Sequence, residues 1–166
     1  MGRSFARAHS GWFMFKVMIV DDHALLRRGL RGIIENFPGW EVCGEAGSGE
    51  AAVRTTAELQ PDVIIMDVSM PGMGGLEATR IIHKAHPAVK IVLLTFHKST
   101  ELIRAGFSSG AVGYVLKEGA EDDLLEALRS VVQDKIYVSP AIGPAAVSAV
   151  LRIVNPPEAD EVSAKK

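Results

Sequence analysis

Five short apolar runs recur along the chain and predict five β-strands. Four of them are almost continuous in apolar and β-branched residues, which is typical of parallel strands buried on both faces. The run at residues 40–46 is the least apolar of the five and fits a strand nearer the edge of a sheet. The runs lie at residues 16–20, 40–46, 62–66, 90–94 and 113–116.

The segments between these runs carry apolar residues at helical spacing. In the first segment, Leu26, Leu30 and Ile33 fall on one face of a helix. Helices are predicted over residues 23–36, 49–59, 76–86, 99–109 and 121–133. Because strand and helix alternate five times, the pattern favours an α/β fold built on a doubly wound (βα)5 parallel sheet.

The chain continues past the fifth helix with one more helical pattern. Ser139 followed by Pro140 resembles an N-cap and first helical turn, and an Ala- and Val-rich stretch runs from there to Val154. The Asn-Pro-Pro sequence at 155–157 ends this predicted extra C-terminal helix. We therefore divide the chain into an N-terminal extension (1–14), a main domain (15–135), a C-terminal helix or linker (136–154) and a flexible tail (155–166).

Composition narrows the class of protein. The 166 residues are 48% hydrophobic, with a net charge of −2 and a pI near 6.2. Charge therefore gives no general attraction to nucleic acid or to acidic membranes. No apolar stretch approaches the roughly 18 residues of a membrane span, and residues 1–15 lack the apolar centre of a signal peptide. A cytoplasmic protein without a membrane partner is predicted.

Polar side chains stand where four of the predicted strands end. Asp21 and Asp22, then Asp67, Thr95 and Lys117 each follow an apolar run. Because open α/β sheets bind ligands beyond the carboxyl ends of their strands, we expect these side chains to meet. Two carboxylates at close range repel by roughly 4 kcal/mol at an effective dielectric constant of about 20, and a divalent cation removes that cost. An all-oxygen ligand set favours Mg²⁺ over zinc or copper.

The same side chains suit phosphoryl transfer. A carboxylate can attack phosphorus to form an aspartyl phosphate, and the Lys117 ammonium can neutralise the transferred oxygens. The Thr95 hydroxyl can donate a hydrogen bond to that group only when it is present, which would make Thr95 a switch. Each residue alone has an ordinary explanation as a helix cap, a turn residue or a solvated charge. Their joint order over four strands favours the phosphoryl site.

These motifs resemble the receiver domain of two-component response regulators. The resemblance covers about residues 15–135, and Asp21-Asp22-His23 together with Glu118 after the lysine is most similar to the NarL/FixJ (LuxR-type) subgroup. It implies a flavodoxin-like sheet with strand order 2-1-3-4-5. The matching segments are residues 17–23, 62–67, 70–73 with Gly75, 92–95 and 110–117.

The resemblance also implies roles for individual residues. Asp67 would be the phosphoacceptor. Mg²⁺ would be bound directly by Asp22, by Asp67 and by the backbone carbonyl of Ser69, and through water by Asp21.

A switch is implied by the same resemblance. Lys117 and Thr95 would stabilise the phosphoryl group, and Thr95 and Tyr114 would form the switch pair. Phosphorylation of Asp67 would draw Thr95 inward, and Tyr114 would turn from an outward to an inward rotamer. The face made by the fourth helix, fifth strand and fifth helix would change shape.

The chain departs from the usual receiver pattern around the site. Phe96 is larger than the small residue that many receivers carry after the threonine, and it either narrows access or simply packs. The resemblance implies that Ser69 and His97 occupy variable positions that could tune dephosphorylation by admitting or orienting water. Pro71 lies in the loop after Asp67.

The implied partners are a sensor histidine kinase as phosphodonor and a second copy of the chain, as a homodimer on phosphorylation. The subgroup binds DNA through a C-terminal helix-turn-helix domain. Only 12 residues follow Val154, too few for such a domain. We interpret the chain as a receiver domain excised from a transcription factor, with a natural single-domain regulator as the alternative.

Three other functions fit the sequence less well. An aspartate-nucleophile phosphatase of the haloacid dehalogenase type requires Asp-x-Asp, whereas Ser69 stands two positions after Asp67. A flavodoxin-like cofactor binder requires a Ser-, Thr- or Gly-rich first loop, which Asp21 and Asp22 do not provide. A receiver-like interaction module that takes no phosphate is the third, and Phe96 is its main support.

Overall fold

A parallel sheet of six strands runs through the part of the chain that the structure, a computed structural model, describes: residues 13–157. Its strand order is β2-β1-β3-β4-β5-β6, and every pairing is parallel. The strands are β1 (Phe15–Val20), β2 (Trp40–Ala46), β3 (Val63–Asp67), β4 (Lys90–Thr95), β5 (Gly113–Leu116) and β6 (Tyr137–Val138). The predicted flavodoxin-like order 2-1-3-4-5 is confirmed.

Helices cover both faces of the sheet. They are α1 (Ala24–Glu35), α2 (Gly49–Leu59), α3 (Gly75–Ala85), α4 (Thr100–Ser108), α5 (Ala120–Val131) and α6 (Pro144–Val154). Leu30 of α1 and Leu128 of α5 pack into the core on one face. Ile82 of α3, Ile103 of α4 and Val150 of α6 belong to the core on the other. The predicted doubly wound architecture is therefore present.

The four central strands are as apolar as their sequences suggest. From Val17 to Val20 and from Val63 to Met66 every side chain is buried, because both faces of the sheet are covered. Strands β3 and β4 each extend one residue past the predicted run. Asp67 and Thr95 are thus the last residues of their strands, and their positions are fixed by the sheet hydrogen bonds.

The C-terminal segment differs from its prediction in two ways. Tyr137 and Val138 form a sixth strand beside β5, which the short sequence did not reveal. Ser139 does not cap a helix with its side chain; its buried hydroxyl accepts a hydrogen bond from the Leu116 amide at 3.0 Å. Only a 3₁₀ turn, Pro140–Ile142, follows directly. Gly143, with φ of 97°, interrupts the chain before α6 begins at Pro144.

The two ends of the chain lie largely outside the described residues. This applies to residues 1–12 of the predicted N-terminal extension and to residues 158–166 of the predicted tail. Among the residues that are described, none of the helices is both long and apolar enough to cross a membrane.

Candidate functional site

Four strand ends bring charged and polar side chains together at one edge of the sheet. Asp21 follows β1, Asp67 ends β3, Thr95 ends β4 and Lys117 follows β5. All three of Asp21, Asp67 and Thr95 are at least 98% buried, and the Lys117 side chain is 7% exposed. Buried charges are tolerated only when they are paired or bind an ion, so the two buried carboxylates require a partner.

Lys117 links the two buried carboxylates. Its Nζ lies 3.1 Å from Asp21 Oδ2 and 3.1 Å from Asp67 Oδ1. The Lys117 amide donates to the Thr95 carbonyl at 2.8 Å, which continues the β4–β5 pairing by one residue and fixes the start of the side chain. One ammonium thus compensates two carboxylates, which leaves a net negative charge between these three groups.

Asp67 has one satisfied and one unsatisfied oxygen. Its Oδ1 accepts from the Ser69 amide at 3.3 Å as well as contacting Lys117. Its Oδ2 is buried and has no hydrogen-bond partner among the described residues. Burial raises the pKa of the Asp67 carboxyl, the charge of Asp21 raises it further, and the Lys117 ammonium opposes the shift. An unpaired buried carboxylate oxygen is suited to bind a cation or to form a new bond.

The donor set fits a hard divalent cation. Ligand atoms of Asp21, Asp22, His23 and Asp67 all lie within 4.8 Å of one another. The three carboxylates supply only oxygens, which are the ligands that Mg²⁺ prefers. His23 is the N-cap residue of α1, and its Nδ1 lies 3.2 Å from Asp21 Oδ1 and 3.1 Å from Asp22 Oδ1. Its ring is 71% exposed, so we interpret it as a partner of the two carboxylates at the rim.

The residues of the predicted switch are in contact through the loop after β4. The Thr95 hydroxyl accepts from the His97 amide at 3.2 Å, and the Tyr114 hydroxyl donates to the His97 carbonyl at 2.6 Å. Tyr114 is fully buried, and this burial raises its pKa to about 12. The tyrosine is therefore in an inward position in this structure, while the predicted outward rotamer is not represented.

Phe96 lies at the opening of the site. Its side chain is among the exposed large hydrophobic groups, with 64% of the residue accessible, and the Lys117 Nζ is 5.1 Å from the ring centroid. A cation within about 6 Å of an aromatic ring is attracted by it. The ring therefore contacts Lys117 instead of packing into the core.

The loop after β3 carries Ser69 and Pro71, and both are exposed. Glu50 of α2 holds its far end, because Oε1 accepts from the Met73 amide at 3.0 Å. Where α3 begins, a side chain on Gly75 would overlap the Asp67 carbonyl oxygen. Glycine is thus required for helix α3 to begin directly against the phosphoacceptor candidate.

Two contacts to the site were missed from the sequence. Arg27 of α1 donates from Nη1 to the main-chain carbonyl of Asp21, and Glu50 anchors the loop after β3. The helical pattern put Arg27 outside the apolar face of α1 but did not show which backbone atom its side chain reaches.

Comparison with known proteins gives consistent matches. The profile of the family described as "Response regulator receiver domain" matches residues 17–129. The response regulator GacA of Pseudomonas syringae pv. syringae (strain B728a) is 40% identical over 129 residues, which are 78% of this chain and 60% of GacA. The response regulator UvrY of Escherichia coli (strain K12) is 44% identical over 126 residues, 76% of this chain and 58% of UvrY. The chain therefore spans about 60% of the length of these relatives.

Solved structures agree in fold. A LuxR-family two-component response regulator from Aurantimonas sp. SI85-9A1 superposes with a TM-score of 0.75 at 36% identity, covering 78% of this chain and 92% of that one. The isolated REC domain of RcsB from Salmonella enterica serovar Typhimurium, in the presence of the phosphomimetic BeF₃⁻, gives 0.71 at 29% identity and covers 82% and 98%.

Proposed function

The chain belongs to the response regulator receiver domain family, and from this membership we propose that it accepts a phosphoryl group on Asp67 and passes the signal on through a change of shape. The similarity to GacA, UvrY and a LuxR-family regulator supports the NarL/FixJ-type subgroup. The family implies phosphorylation-dependent control of a transcriptional output. It also leaves no support for the phosphatase or the flavodoxin-like cofactor binder.

One observation carries this proposal: the Asp67 carboxylate is buried, held at Oδ1, and free of hydrogen-bond partners at Oδ2 among the described residues. In the proposed step a carboxylate oxygen of Asp67 attacks the phosphorus of the donor. An O–P bond forms, the bond between phosphorus and the donor's leaving atom breaks, and the electron pair leaves with the donor. Lys117 Nζ, 3.1 Å from Asp67 Oδ1, would then bind a transferred oxygen.

The cation belongs to the same proposal. Asp22, Asp67 and the Ser69 carbonyl would hold Mg²⁺ directly, and Asp21 would act through water. When bound, Mg²⁺ supplies positive charge that offsets the carboxylates and the oxygens of the phosphoryl group. The chain's own contribution is to hold Asp67 rigidly at the end of β3, to limit water access and to present Lys117.

The switch would use the contacts around His97. When a phosphoryl oxygen accepts from the Thr95 hydroxyl, that hydroxyl moves toward Asp67, and its bond from the His97 amide, now 3.2 Å, would be strained or broken. Because Tyr114 bonds the His97 carbonyl, the loop, α4 and β5 would respond together.

The chain is not a classical enzyme; its proposed chemistry is its own phosphorylation and dephosphorylation. A sensor histidine kinase would be the donor. We further propose that the chain forms a homodimer when phosphorylated, and that DNA is contacted only through a further domain of the kind implied by the longer relatives. The division into a receiver at 15–135 and a C-terminal segment at 136–154 is part of this proposal.

A phosphate-independent interaction module is the second candidate. The observation that favours it is the Phe96 ring, which lies 5.1 Å from Lys117 Nζ at the opening of the site and could block a bulky donor.

Intact-mass measurement separates the two candidates. Wild type and Asp67→Asn are incubated with acetyl phosphate, with and without Mg²⁺. The proposal expects a Mg²⁺-dependent gain of one phosphoryl group in the wild type and none in the variant. If the wild type gains no mass, and BeF₃⁻ with Mg²⁺ causes no spectral change, the phosphate-independent module replaces the proposal.

A further inference from the structure

Arg27 reaches from α1 to the backbone that carries the acidic pair. Its Nη1 donates to the Asp21 carbonyl at 2.5 Å, and its Nε donates to Glu45 Oε1 at 3.2 Å. The Asp21 amide in turn donates to the Ala46 carbonyl at 3.1 Å. The peptide groups on both sides of Asp21 are therefore held by hydrogen bonds, one from the sheet and one from this arginine.

The arginine itself is held on its outer side. Glu45 Oε2 accepts from Arg31 Nη2 at 2.7 Å and from Arg31 Nε at 3.1 Å. This leaves Glu45 Oε1 for Arg27 and fixes the direction of its carboxylate. The guanidinium also lies over Gly47, where a Cβ would stand 3.6 Å from Nη1. The side chain has little freedom, and the Arg27 side chain is 22% exposed.

The geometry of this contact requires an arginine. The guanidinium donates to the carbonyl from one nitrogen and to the carboxylate from another, in a fixed planar arrangement. A lysine has one nitrogen on a flexible chain. It could donate to the Asp21 carbonyl or to the Glu45 carboxylate with good geometry, but not to both. Arg27 also brings a positive charge to the outer side of a cluster that already contains three carboxylates.

We propose that Arg27 is a positioning residue for the cation site: by holding the Asp21 carbonyl, it sets the direction of the Asp21 and Asp22 side chains before a cation binds. This deepens the proposed function and rests on it. Removing a group that hydrogen-bonds to a metal ligand and orients it commonly weakens metal binding by roughly 10- to 100-fold.

The test compares Mg²⁺ affinity, by calorimetric titration, in wild type, Arg27→Gln, Arg27→Lys and Arg28→Gln. Arg28 is the matched control, since it is exposed, lies one position away, and makes no ion pair or side-chain hydrogen bond among the described residues. We expect roughly tenfold weaker binding for Arg27→Gln, a clear loss for Arg27→Lys, and nearly wild-type binding for Arg28→Gln.

Three outcomes would overturn the inference. Equal losses of Mg²⁺ affinity in Arg27→Gln and Arg28→Gln would mean that only net charge matters. Wild-type Mg²⁺ affinity in Arg27→Lys would show that the planar guanidinium is not needed to position Asp21. Unchanged Mg²⁺ affinity in Arg27→Gln would show that Arg27 does not position the cation site. Wild type that binds no Mg²⁺ and takes no phosphoryl group would instead refute the proposed function.

Folding is controlled separately by urea unfolding of each variant without Mg²⁺. If Arg27→Gln does not fold, Glu45→Gln is used in its place, because it weakens the support of Arg27 and keeps the arginine itself, although it also weakens the ion pair with Arg31. A smaller loss of Mg²⁺ affinity in the same direction is then expected, and an unchanged affinity would count against the inference.

Discussion

At the scale of single residues, Lys117 compensates the two buried carboxylates of the site. It is the ammonium that lies within ion-pair distance of both Asp21 and Asp67. Removing one partner of a buried ion pair leaves an uncompensated charge, which is far more costly than the small net gain of the pair itself.

Lys117→Met should therefore destabilise the apo protein by about 3 kcal/mol at neutral pH. Urea unfolding without divalent cations measures this, with Lys84→Met as the control, since Lys84 is exposed on α3 and forms no ion pair within residues 13–157. Added Mg²⁺ should recover part of the loss. Equal stability of the two variants would show that Asp21 and Asp67 do not depend on the ammonium.

Phe96 is expected to limit access to Lys117 and Asp67. Replacing its exposed ring with a methyl group should open the path to Lys117 and Asp67. Phe96→Ala should accept phosphoryl groups from acetyl phosphate several-fold faster and lose them to water faster, as followed by intact mass against time.

Leu25→Ala is the control for that experiment, since Leu25 is 80% exposed and lies on α1. A slower reaction in Phe96→Ala would mean that the ring holds Lys117 in place by the cation–π contact rather than limiting access.

The site residues that were predictable are those set by topology. Asp21, Asp67, Thr95 and Lys117 stand at strand ends, and parallel strands end at the same edge, so their order in the sequence was sufficient. Arg27 and Glu50 were not predictable in this way. Their contacts depend on how far a long side chain extends from a helix surface, and periodicity contains no information about that reach.

At the scale of elements, the edge strand β2 is tied to α1 by charge. Glu45 lies on β2 and accepts from Arg27 and Arg31 of α1. Hydrogen bonding to Arg31, and then the charge of that arginine, lower the pKa of Glu45 against the effect of burial. The contribution to stability is thus present above the pKa of Glu45 in the unfolded chain and is lost as the pH falls through its lower folded-state pKa.

Glu45→Gln should accordingly reduce stability at neutral pH by at most about 1 kcal/mol, since the side chain is partly exposed to solvent. The difference from wild type should shrink as the pH falls below the normal range of glutamate. Urea unfolding at neutral and acidic pH measures both values. A difference that grows on acidification would contradict this assignment.

A buried serine hydroxyl joins the residue after β6 to the end of β5, in addition to the backbone hydrogen bonds that hold β6. The Ser139 Oγ accepts from the Leu116 amide, the Ser139 amide donates to the Tyr114 carbonyl, and Ser139 is fully buried. Ser139→Ala leaves the Leu116 amide buried without that acceptor, at a cost of about 1–3 kcal/mol.

Hydrogen exchange at the Leu116 amide should be clearly faster in Ser139→Ala, whereas Ser148→Ala, exposed on α6, should leave it unchanged. Unaltered exchange in Ser139→Ala would mean that the serine hydroxyl does not protect this part of β5.

The 3₁₀ turn and strand β6 near the C-terminus could not be predicted from the sequence. The Ser-Pro pair is a common helix start, and here it begins only a 3₁₀ turn, because Gly143 adopts a positive φ and redirects the chain. A two-residue strand is too short for any period to appear. The local sequence favours a helix cap for the Ser139 side chain, because its actual partner, the Leu116 amide, lies 23 residues away.

At the scale of the whole molecule, α6 packs against α4, and both belong to the core on the α3 face. Any movement of α4 caused by the loop at His97 would therefore shift the packing of α6. This route leads from the site toward the end of the described chain.

Ligand binding should stabilise the entire fold. With Mg²⁺ and BeF₃⁻ at about 100 times the apparent Kd, the free energy of unfolding should rise by about 2.7 kcal/mol. Thermal unfolding measures the shift, with Asp67→Asn as the control that should show little BeF₃⁻ response. An equal rise in the unfolding temperature of both proteins would mean that BeF₃⁻ does not bind at Asp67.

The strand order has a consequence for the timing of synthesis. Asp21 and Asp67 come together as soon as β3 pairs with β1, whereas Lys117 arrives only with β5, two strands further along the sheet. A nascent chain that ends before residue 113 contains both carboxylates and lacks their ammonium. Until β5 is added, a proton or a free cation has to moderate their repulsion, so the positive charge is the last component of the site to be put in place.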